Sequence, residues 1–432
     1  MINIVIIGGG FAGINLAKQL KDKKGIQITL VDRNNYNFFP PLLYQVATGF
    51  LEPSNICFPY RKLFRGATNI RFQMGEFLQV IPIENKVVLS TGELFYDHLV
   101  FATGAQTNYF GMENVRKNSL PMKTVNDALE LRNHFLQTLE QACMAKDEAE
   151  RRKLLTIVIA GAGPTGVEVA GMLADMKKHV VPKDYPEIHA KGYESHIYVV
   201  DGGAAVLGPM SKASQAYTHD SLAKMGVEVK LNCQVKDYVD GTVSFTNGEI
   251  IDTKTLVWAA GVSASVFNGL PPECYSRGKR LIVDEVNRIQ GFSNLFAIGD
   301  TCLQTSDVKF PSGHPQLAQV AIQQGNNLAK NFILMKNGMA LKAFTYWDKG
   351  SMAIIGRNKA VVDLPKPELH LKGFIAWFMW IFVHLMSLVN YRNRIKTFYN
   401  WAGAYFTKDQ SLRFILRPSK QERGTKLSNV NL

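Results

Sequence analysis

The stretch Ile2-Asn-Ile-Val-Ile-Ile-Gly-Gly-Gly-Phe-Ala-Gly13 decides the fold of this chain. A β-branched apolar run, typical of a buried strand, leads directly into the spacing G-x-G-x-x-G at Gly8, Gly10 and Gly13. In this pattern the first glycine permits a tight turn, the second lets the backbone approach a pyrophosphate, and the third lets a helix pack closely on the strand. The pyrophosphate then lies at the N-terminus of that helix. The stretch therefore predicts a dinucleotide site.

A second apolar run, residues 27–31, ends in Asp32, which lies 24 residues after Gly8. A carboxylate at this distance is suited to accept a hydrogen bond from a ribose hydroxyl. Strand, glycines, helix, strand and acid occur in the required order, although a glycine-rich turn in an ordinary βαβ unit is the alternative. The residues predicted to bind the first dinucleotide include Gly8, Gly10, Phe11, Ala12, Gly13, Asp32 and Arg33.

A second copy of the pattern begins after a predicted long polar helix over residues 127–149 and a charged run over 146–153. Here a strand over residues 155–160 leads into Gly161-Ala-Gly-Pro-Thr-Gly166, and a further strand over 196–200 ends in Asp201. The 40 residues between Gly161 and Asp201 exceed the usual spacing, and two prolines within them predict an insertion after the helix. Two fingerprints on one chain predict two bound dinucleotides.

Other predicted strands end in small or acidic residues at the Ala102-Thr-Gly104, Ala259-Ala-Gly261 and Gly299-Asp300 turns. At the last of these turns Asp300 lies at the carboxyl edge of a sheet and is suited to bind a ribityl hydroxyl. A helix is predicted over residues 315–330, with Gln319 and Gln323 one turn apart on one face. Those glutamines belong either to a binding site or to a solvated helix face. The segment 37–49 either lines a flavin or substrate cavity or packs in the core.

Charge is unevenly distributed in this chain of 432 residues, whose formal net charge is +13. The last 92 residues hold 15 Lys and Arg, 5 Asp and Glu, and four of the five tryptophans, so their net charge is +10. A basic, tryptophan-rich tail indicates an anionic membrane surface or nucleic acid, whereas the first 340 residues do not indicate a general polyanion-binding surface. The five cysteines form no close pair, which predicts reduced structural thiols in a cytosolic compartment, and no metal site is predicted.

Residues 373–389 of the tail are apolar on all sides, but 17 helical residues span only about 25 Å, short of the hydrocarbon core. This segment is a buried core helix or a membrane-seated helix, and a single transmembrane anchor is the less favoured alternative. The basic segment 391–396 and apolar residues at helical spacing after it predict an interfacial helix. No secretory signal is expected, since strand residues begin almost at Met1.

Several of these motifs together resemble the type II NADH dehydrogenases, the single-subunit, non-proton-pumping NADH:quinone oxidoreductases of respiratory membranes. The resemblance covers essentially the whole chain. It is carried by both fingerprints, by Phe39-Pro-Pro-Leu-Leu-Tyr-Gln-Val-Ala-Thr-Gly49, by the Ala102 and Gly299 turns, by Ala318-Gln-Val-Ala-Ile-Gln-Gln-Gly325, and by the tail around Trp377, Arg392-Asn-Arg394 and Trp401. The sequence departs from relatives in having Asp201 where they often carry Glu.

The resemblance implies an α/β fold with two Rossmann-like domains, one for FAD and one for NADH, and a C-terminal amphipathic helical membrane-anchoring region. The expected boundaries are 1–117 with 277–340 for FAD, 118–276 for NADH, and 341–432 for membrane docking and dimerisation. It also implies a homodimer, peripheral attachment to the cytoplasmic face of a bacterial inner membrane with an anionic lipid surface, a membrane quinone (menaquinone or ubiquinone), and no nucleic acid.

Residue roles follow from the same resemblance. Non-covalent FAD is expected to contact the first fingerprint together with Thr103, Gly104, Asp300 and Gln319. NADH is expected to contact Gly161, Gly163, Pro164, Thr165, Gly166, Glu168, Asp201, Ala260 and Gly261. Glu168, Gln319 and Gln323 are the expected catalytic residues, and Tyr44, Gln45, Gln319 and Gln323 the expected quinone site.

The expected reaction passes hydride from NADH to FAD and then electrons to quinone, with positioning as the main contribution of the protein. A carboxylate at position 168, in the first turn of a helix, is expected to stay ionised because the helix dipole favours it. Two alternatives stay open at this point. One is a flavin reductase that passes electrons to a soluble partner protein, and the other is a flavin-bound interaction protein.

Overall fold

A computed structural model describes residues 1–190, 192–276, 278–407, 409 and 412–416. The last part of the predicted region 341–432 therefore lies outside the described residues. The fold is α/β as predicted, with two five-stranded parallel sheets, each flanked by helices, and a separate antiparallel sheet near the C-terminus.

The N-terminal part of the chain contains most of the first parallel sheet, a three-stranded antiparallel sheet, and several short helices. In chain order its elements are β1 (Ile2–Ile7), α1 (Phe11–Gln19), β2 (Ile26–Asp32), β3 (Tyr36–Phe38), α2 (Leu43–Ala47), α3 (Pro53–Ile56), β4 (Cys57–Pro59), α4 (Tyr60–Leu63), β5 (Ile70–Met74), β6 (Phe77–Ile81), β7 (Lys86–Leu89), β8 (Gly92–Phe95), β9 (His98–Phe101), β10 (Gln106–Thr107) and α5 (Glu113–Asn118). The antiparallel pairing of β7 with β8 forms a hairpin around Thr91 and Gly92.

The middle part of the chain forms the second parallel sheet. Its elements are β11 (Leu120–Pro121), α6 (Val125–Met144), α7 (Glu148–Leu155), β12 (Thr156–Ala160), α8 (Pro164–His179), α9 (Val181–Asp184), α10 (Pro186–Ala190), β13 (His196–Val200), α11 (Lys212–Lys224), β14 (Val227–Lys230), β15 (Val235–Val239), β16 (Thr242–Phe245), β17 (Ile250–Asp252), β18 (Thr255–Trp258) and β19 (Val262–Ser263). The insertion predicted after the second fingerprint helix is confirmed as α9 and α10.

The C-terminal part completes the first sheet and adds a helical tail. Its elements are β20 (Leu281–Val283), β21 (Leu295–Ala297), β22 (Cys302–Gln304), α12 (Ala318–Lys336), β23 (Ser351–Gly356), β24 (Lys359–Pro365), β25 (Glu368–Lys372), α13 (Phe374–Ser387) and α14 (Tyr391–Thr407). Among the described residues, no helix combines the length and apolar character needed to cross a membrane.

The two parallel sheets have the same construction. Their strand orders are β21-β9-β1-β2-β5 and β11-β18-β12-β13-β14, so each fingerprint strand lies at the centre of its sheet. Central strands are covered on both faces, which explains why β1 and β12 are continuous apolar runs rather than alternating ones. Both glycine turns therefore lie at the carboxyl edge of a sheet, where open α/β sheets bind their ligands.

Two predicted helices differ in the structure. The single helix predicted over residues 127–149 is wrong, because α6 ends at Met144 and Asp147 caps a new helix by accepting a hydrogen bond from the Glu150 backbone N–H at 2.9 Å. The helix predicted over 315–330 begins later and continues to Lys336. Its last turns stay helical because buried Leu328 and Phe332 belong to the core that α12 shares with α1.

Candidate functional site

The first glycine turn has the geometry that a dinucleotide needs. Gly8 has a φ of +106°, and a Cβ there would overlap the Ala102 carbonyl. A Cβ on Gly13 would likewise overlap the Gly8 carbonyl, so α1 could not approach β1 with a larger residue. A Cβ on Gly10, in contrast, would meet no atom within 4 Å. This open space in front of the N-terminus of α1 fits the pyrophosphate of FAD.

Asp32 supports this turn directly. Its Oδ2 accepts a hydrogen bond from the Gly9 backbone N–H at 2.7 Å, and its Oδ1 accepts one from the Asn34 N–H at 2.8 Å. Burial raises the pKa of Asp32, while the two backbone donors oppose that rise. Because a carboxylate has about four acceptor positions, Asp32 keeps room for a ribose hydroxyl. Arg33, predicted beside it, is exposed.

Two side chains outside the sequence motifs hold the same turn. The Tyr60 hydroxyl lies 2.9 Å from the Gly9 carbonyl and 3.2 Å from Asp32 Oδ2, and Asn37 Nδ2 donates to the Gly9 carbonyl at 3.0 Å. Tyr60 also stacks on Phe72, with ring centroids 4.9 Å apart. Asn37 lies in β3 and Tyr60 begins α4, and no local pattern marks either residue, because their role depends on how the chain after β2 folds back onto the turn.

The second glycine turn repeats the first. Gly161 also has a φ of +106°, and a Cβ there would overlap the Ala259 carbonyl. A Cβ on Gly166 would overlap the Gly161 carbonyl, and one on Gly163 would meet no atom within 4 Å. α8 begins at Pro164, and both Pro164 and Thr165 are exposed beside the turn. The site fits the pyrophosphate of NADH for the same physical reasons.

Asp201 occupies in this unit the place that Asp32 has in the first. Its Oδ2 accepts from the Ala162 N–H at 2.7 Å and its Oδ1 from the Gly203 N–H at 2.6 Å. The chain that follows the neighbouring strand lies across each turn. It contains Thr103 and Gly104 after β9 in the first unit, and Ala260 and Gly261 after β18 in the second. The structure thus brings the predicted NADH and FAD residues to corresponding edges of two sheets.

Asp300 lies in a short 3-10 turn, Gly299–Thr301, against the start of α12. The Gly299 N–H donates to Gln324 Oε1 at 2.7 Å, and Gln316 Nε2 donates to the Asp300 carbonyl at 2.9 Å. Burial raises the pKa of Asp300, against the opposing charges of Lys123 and Arg280. Gln324, rather than the predicted Gln319 and Gln323, therefore holds this turn. The only sequence signal for Gln324 is its position in the same glutamine-rich stretch.

Glu168 is the fifth residue of α8, in the second turn of the helix rather than the predicted first turn, and it is buried. The predicted effect of the helix dipole favours an ionised carboxylate here, but burial acts in the opposite direction and raises the pKa of Glu168 well above its usual value. A hydrogen bond from the Ile354 backbone opposes this rise without cancelling it. Loss of hydration around the carboxylate outweighs the favourable helix dipole.

Tyr44 and Gln45, the residues predicted to contact quinone, lie in α2 and are buried. α2 packs against α8, and the pKa of Tyr44 is raised by burial and further by the charge of Glu168. Gln45 Nε2 donates to the Tyr44 hydroxyl at 2.8 Å, and Trp401 Nε1 donates to Gln45 Oε1 at 2.7 Å. A hydrogen-bonded chain therefore links the neighbourhood of Glu168 to helix α14.

Gln319 and Gln323 lie on α12, one turn apart as predicted. Both amides, however, bind the backbone of one downstream segment. Gln323 donates to the Trp347 carbonyl at 2.9 Å and accepts from its N–H at 3.1 Å, and Gln319 donates to the Gly350 carbonyl at 2.9 Å. Each amide keeps a second N–H and a second lone pair, so contact with FAD or quinone stays a prediction.

Comparison with known proteins identifies the family. Residues 2–325 match the family model of pyridine nucleotide-disulphide oxidoreductases, and residues 348–408 match the NDH2 C-terminal domain. The type II NADH:quinone oxidoreductase NdhA of Mycobacterium tuberculosis is 37% identical over 419 residues, which cover 93% of this chain and 87% of that protein. The chain belongs to the type II NADH:quinone oxidoreductases.

A second relative agrees with this membership, and a solved structure has the same fold. The type II NADH:quinone oxidoreductase Ndh of the same bacterium is 34% identical over 425 residues, covering 94% of this chain and 88% of that protein. The structure of NDH2 from Plasmodium falciparum in complex with NADH has a TM-score of 0.86 at 22% identity and covers 96% of this chain and 100% of that one. The predicted activity, NADH to quinone through FAD, is confirmed at the level of the family.

Proposed function

We propose that this NADH:quinone oxidoreductase works at an anionic lipid surface, with quinone approaching from the side of α13 and α14. The observation that carries the proposal is the two-sided packing of these helices. On one side, Trp380 and Trp401 are buried against α2, next to Tyr44 and Gln45. On the other side, large apolar side chains face solvent.

The outward face is too apolar for an ordinary surface. Phe378, Phe382 and Phe406 are 62%, 58% and 81% exposed, and further exposed apolar residues lie beside them on α13 and α14. A contiguous apolar patch of this kind marks an interaction site, and aromatic and basic residues together suit the lipid headgroup level. The basic residues Arg392, Arg394 and Lys396 begin α14. Peripheral binding to the cytoplasmic leaflet and a homodimer stay predictions.

In the proposed mechanism the protein contributes mainly the positioning of the reacting groups. Bound FAD supplies the hydride acceptor and the electron donor to quinone. The glycine turns hold the two pyrophosphates, while Asp32 and Asp201 accept from ribose hydroxyls. Glu168, a buried residue of the helix that follows the second glycine turn, is proposed to position the nicotinamide against the flavin. Gln323 and Gln319 are proposed to orient the quinone carbonyls with the amide N–H groups that remain free.

The two half-reactions test the residue roles. Glu168→Gln should mainly slow the bleaching of flavin by NADH in a stopped-flow measurement, because the carboxyl lies on the helix of the NADH site. Gln323→Ala should leave bleaching nearly intact and slow reoxidation by a soluble quinone several-fold, the effect of losing about one hydrogen bond. The reverse pattern would contradict this division of roles, and no effect in either variant would leave both residues with a structural role.

The lipid surface is tested without disturbing the core. Phe378→Ser with Phe382→Ser removes exposed apolar area from α13 while leaving buried Trp380 in place. We expect most co-sedimentation with anionic liposomes to be lost, while NADH oxidation with a soluble acceptor continues. Val308→Ser, a 90% exposed position in another part of the chain, is the matched control. Unchanged sedimentation of the double variant would exclude this face as the anchor.

A further inference from the structure

Residues 342–350 form an unusual connection between α12 and β23. The segment lies outside any helix or strand, yet many of its backbone groups are paired. Backbone N–H and C=O groups normally find partners in other backbone groups, and a segment without a strand partner must find them elsewhere. Here the partners are largely the side chains of α12.

Four amide side chains on α12 supply these partners, at positions spaced by four residues: Gln319, Gln323, Asn327 and Asn331. This spacing places them in one row along the helix. Together they make seven hydrogen bonds to the backbone of Lys342, Trp347, Lys349 and Gly350, at 2.9–3.2 Å. We name this row the amide ladder.

The ladder fixes the register of the segment as well as its attachment. Gln323 binds both the N–H and the carbonyl of Trp347, and Asn331 binds both groups of Lys342 at 2.9 Å. A slip by one residue would break these paired contacts together. Between them, Phe344 and Tyr346 are buried with Val320, and the Tyr346 N–H donates to Asp307 Oδ2 at 3.0 Å.

The segment leads directly into the NADH side of the molecule. It continues as β23, which packs on α8, and a Cβ on Gly171 of α8 would overlap the Ile355 carbonyl. The adjacent Ile354 backbone hydrogen-bonds Glu168. In the N-terminal half of α12, Gln324 accepts from the Gly299 N–H, and Gln316, just before the helix, donates to the Asp300 carbonyl. One continuous piece of chain therefore joins the flavin-side helix to the nicotinamide-side helix.

We propose that the amide ladder is a brace that sets the distance between the NADH and FAD sites. Asn327 and Asn331 are then positioning residues for hydride transfer, although neither belongs to a dinucleotide fingerprint. Hydride transfer is sensitive to small misplacement of the reacting atoms, so a loosened brace lowers the rate without removing either binding site. The inference rests on the NADH-to-FAD reaction of the proposed function.

Stopped-flow reduction of the flavin in the full-length holoprotein tests the brace. Asn327→Leu and Asn331→Leu remove the amides at nearly constant volume. We expect the flavin bleaching rate at saturating NADH to fall roughly two- to tenfold, the effect of one or two lost hydrogen bonds. The NADH concentration for half-maximal rate and the bound flavin per chain should stay unchanged. Asn327→Gln, which keeps an amide, should restore most of the rate.

Controls separate positioning from general stability. Lys330→Ala changes an exposed residue of the same helix outside the row and should keep the wild-type rate. Asn327 is half-buried and makes one hydrogen bond of the ladder, so the Asn327→Leu protein still tests the proposal if Asn331→Leu does not fold. A wild-type bleaching rate in the Asn327→Leu protein, or a lower melting temperature alone, would overturn the brace. A wild-type protein that NADH does not bleach would instead contradict the proposed reaction itself.

Discussion

The two dinucleotide units show how one backbone design is adapted to two cofactors. The two turns share their backbone conformation and their main hydrogen bond. Gly8 and Gly161 have the same φ of +106°, and Asp32 and Asp201 each accept a hydrogen bond from a backbone N–H of the turn at 2.7 Å. The differences lie in the residues around the turns. In the first unit the Gly9 carbonyl accepts from two side chains, whereas in the second the Ala162 carbonyl accepts from the Leu207 backbone N–H at 2.8 Å.

A second difference lies two residues after each third glycine. The first unit has Asn15, whose Nδ2 donates to the Phe11 carbonyl at 2.7 Å within its own helix. The second unit has Glu168, buried and bonded to the backbone of the C-terminal sheet. The comparison teaches that the glycine turns provide binding, while the chemistry of each unit depends on what other parts of the chain bring to it.

The largest expected effect comes from adding a methyl group to either turn. Gly8→Ala should reduce FAD affinity by at least about 100-fold, because alanine is strained at that φ and its Cβ overlaps a backbone carbonyl. Gly161→Ala should keep its flavin and lose NADH binding instead. Flavin absorbance per chain and NADH titration measure the two outcomes. Equal loss of flavin in both variants would show that the units are not independent sites.

Cofactor choice is expected to depend on Asp201. Its carboxylate should accept from the 2′-hydroxyl of NADH and repel the 2′-phosphate of NADPH. Asp201→Ala should lower the preference for NADH, measured as the ratio of kcat/KM values, by about 10- to 100-fold, the effect of a charged hydrogen bond. Asp32→Ala, its counterpart in the first unit, should weaken FAD binding without changing that ratio. Equal ratios in the wild-type protein would contradict the assignment.

Glu168→Gln should change how the stability of the protein depends on pH, which tests the difference between the two units at this position. The pKa of Glu168 is raised in the folded protein, so between the unfolded and folded pKa values the folded state binds more protons, and stability falls as pH rises. Glutamine removes this dependence. We therefore expect the melting temperature of the variant to exceed that of the wild type by an amount that grows as pH rises above about 4.3. A constant difference across pH would argue against a raised pKa.

The smallest effect is expected from the side-chain support of the first turn. Tyr60→Phe keeps the ring on Phe72 and removes only the hydroxyl that contacts Gly9 and Asp32. FAD affinity, measured by reconstitution of the apoprotein, should fall roughly two- to tenfold. NADH binding should be unchanged, because the second turn is supported by the Leu207 backbone. An equal change in both affinities would show a general loss of stability rather than a local one.

Sequence patterns were sufficient where the cause is local. The strand, the glycine spacing, the helix and the acidic residue all lie within one βαβ unit. The individual residues of both fingerprints, with Asp32 and Asp201, could therefore be predicted from the sequence. The free state of all five cysteines also agrees with their spacing. Helix ends were less predictable: the break after Met144 depends on a single capping aspartate, and the extension of α12 depends on burial against α1.

Long-range contacts decided the rest of the site. The raised pKa of Glu168 comes from burial beside α2 and β23, which lie more than a hundred residues away in either direction along the chain. The amides of Gln319 and Gln323 bind the segment 342–350, and Gln45 meets Trp401 across 356 residues. By itself the sequence determined two dinucleotide turns, because glycine conformation and strand-to-helix spacing are properties of neighbouring residues. Only the tertiary structure decided the direction of the pKa shift of Glu168 and the hydrogen-bond partners of the glutamines, because hydration and hydrogen bonding depend on which distant segments pack there.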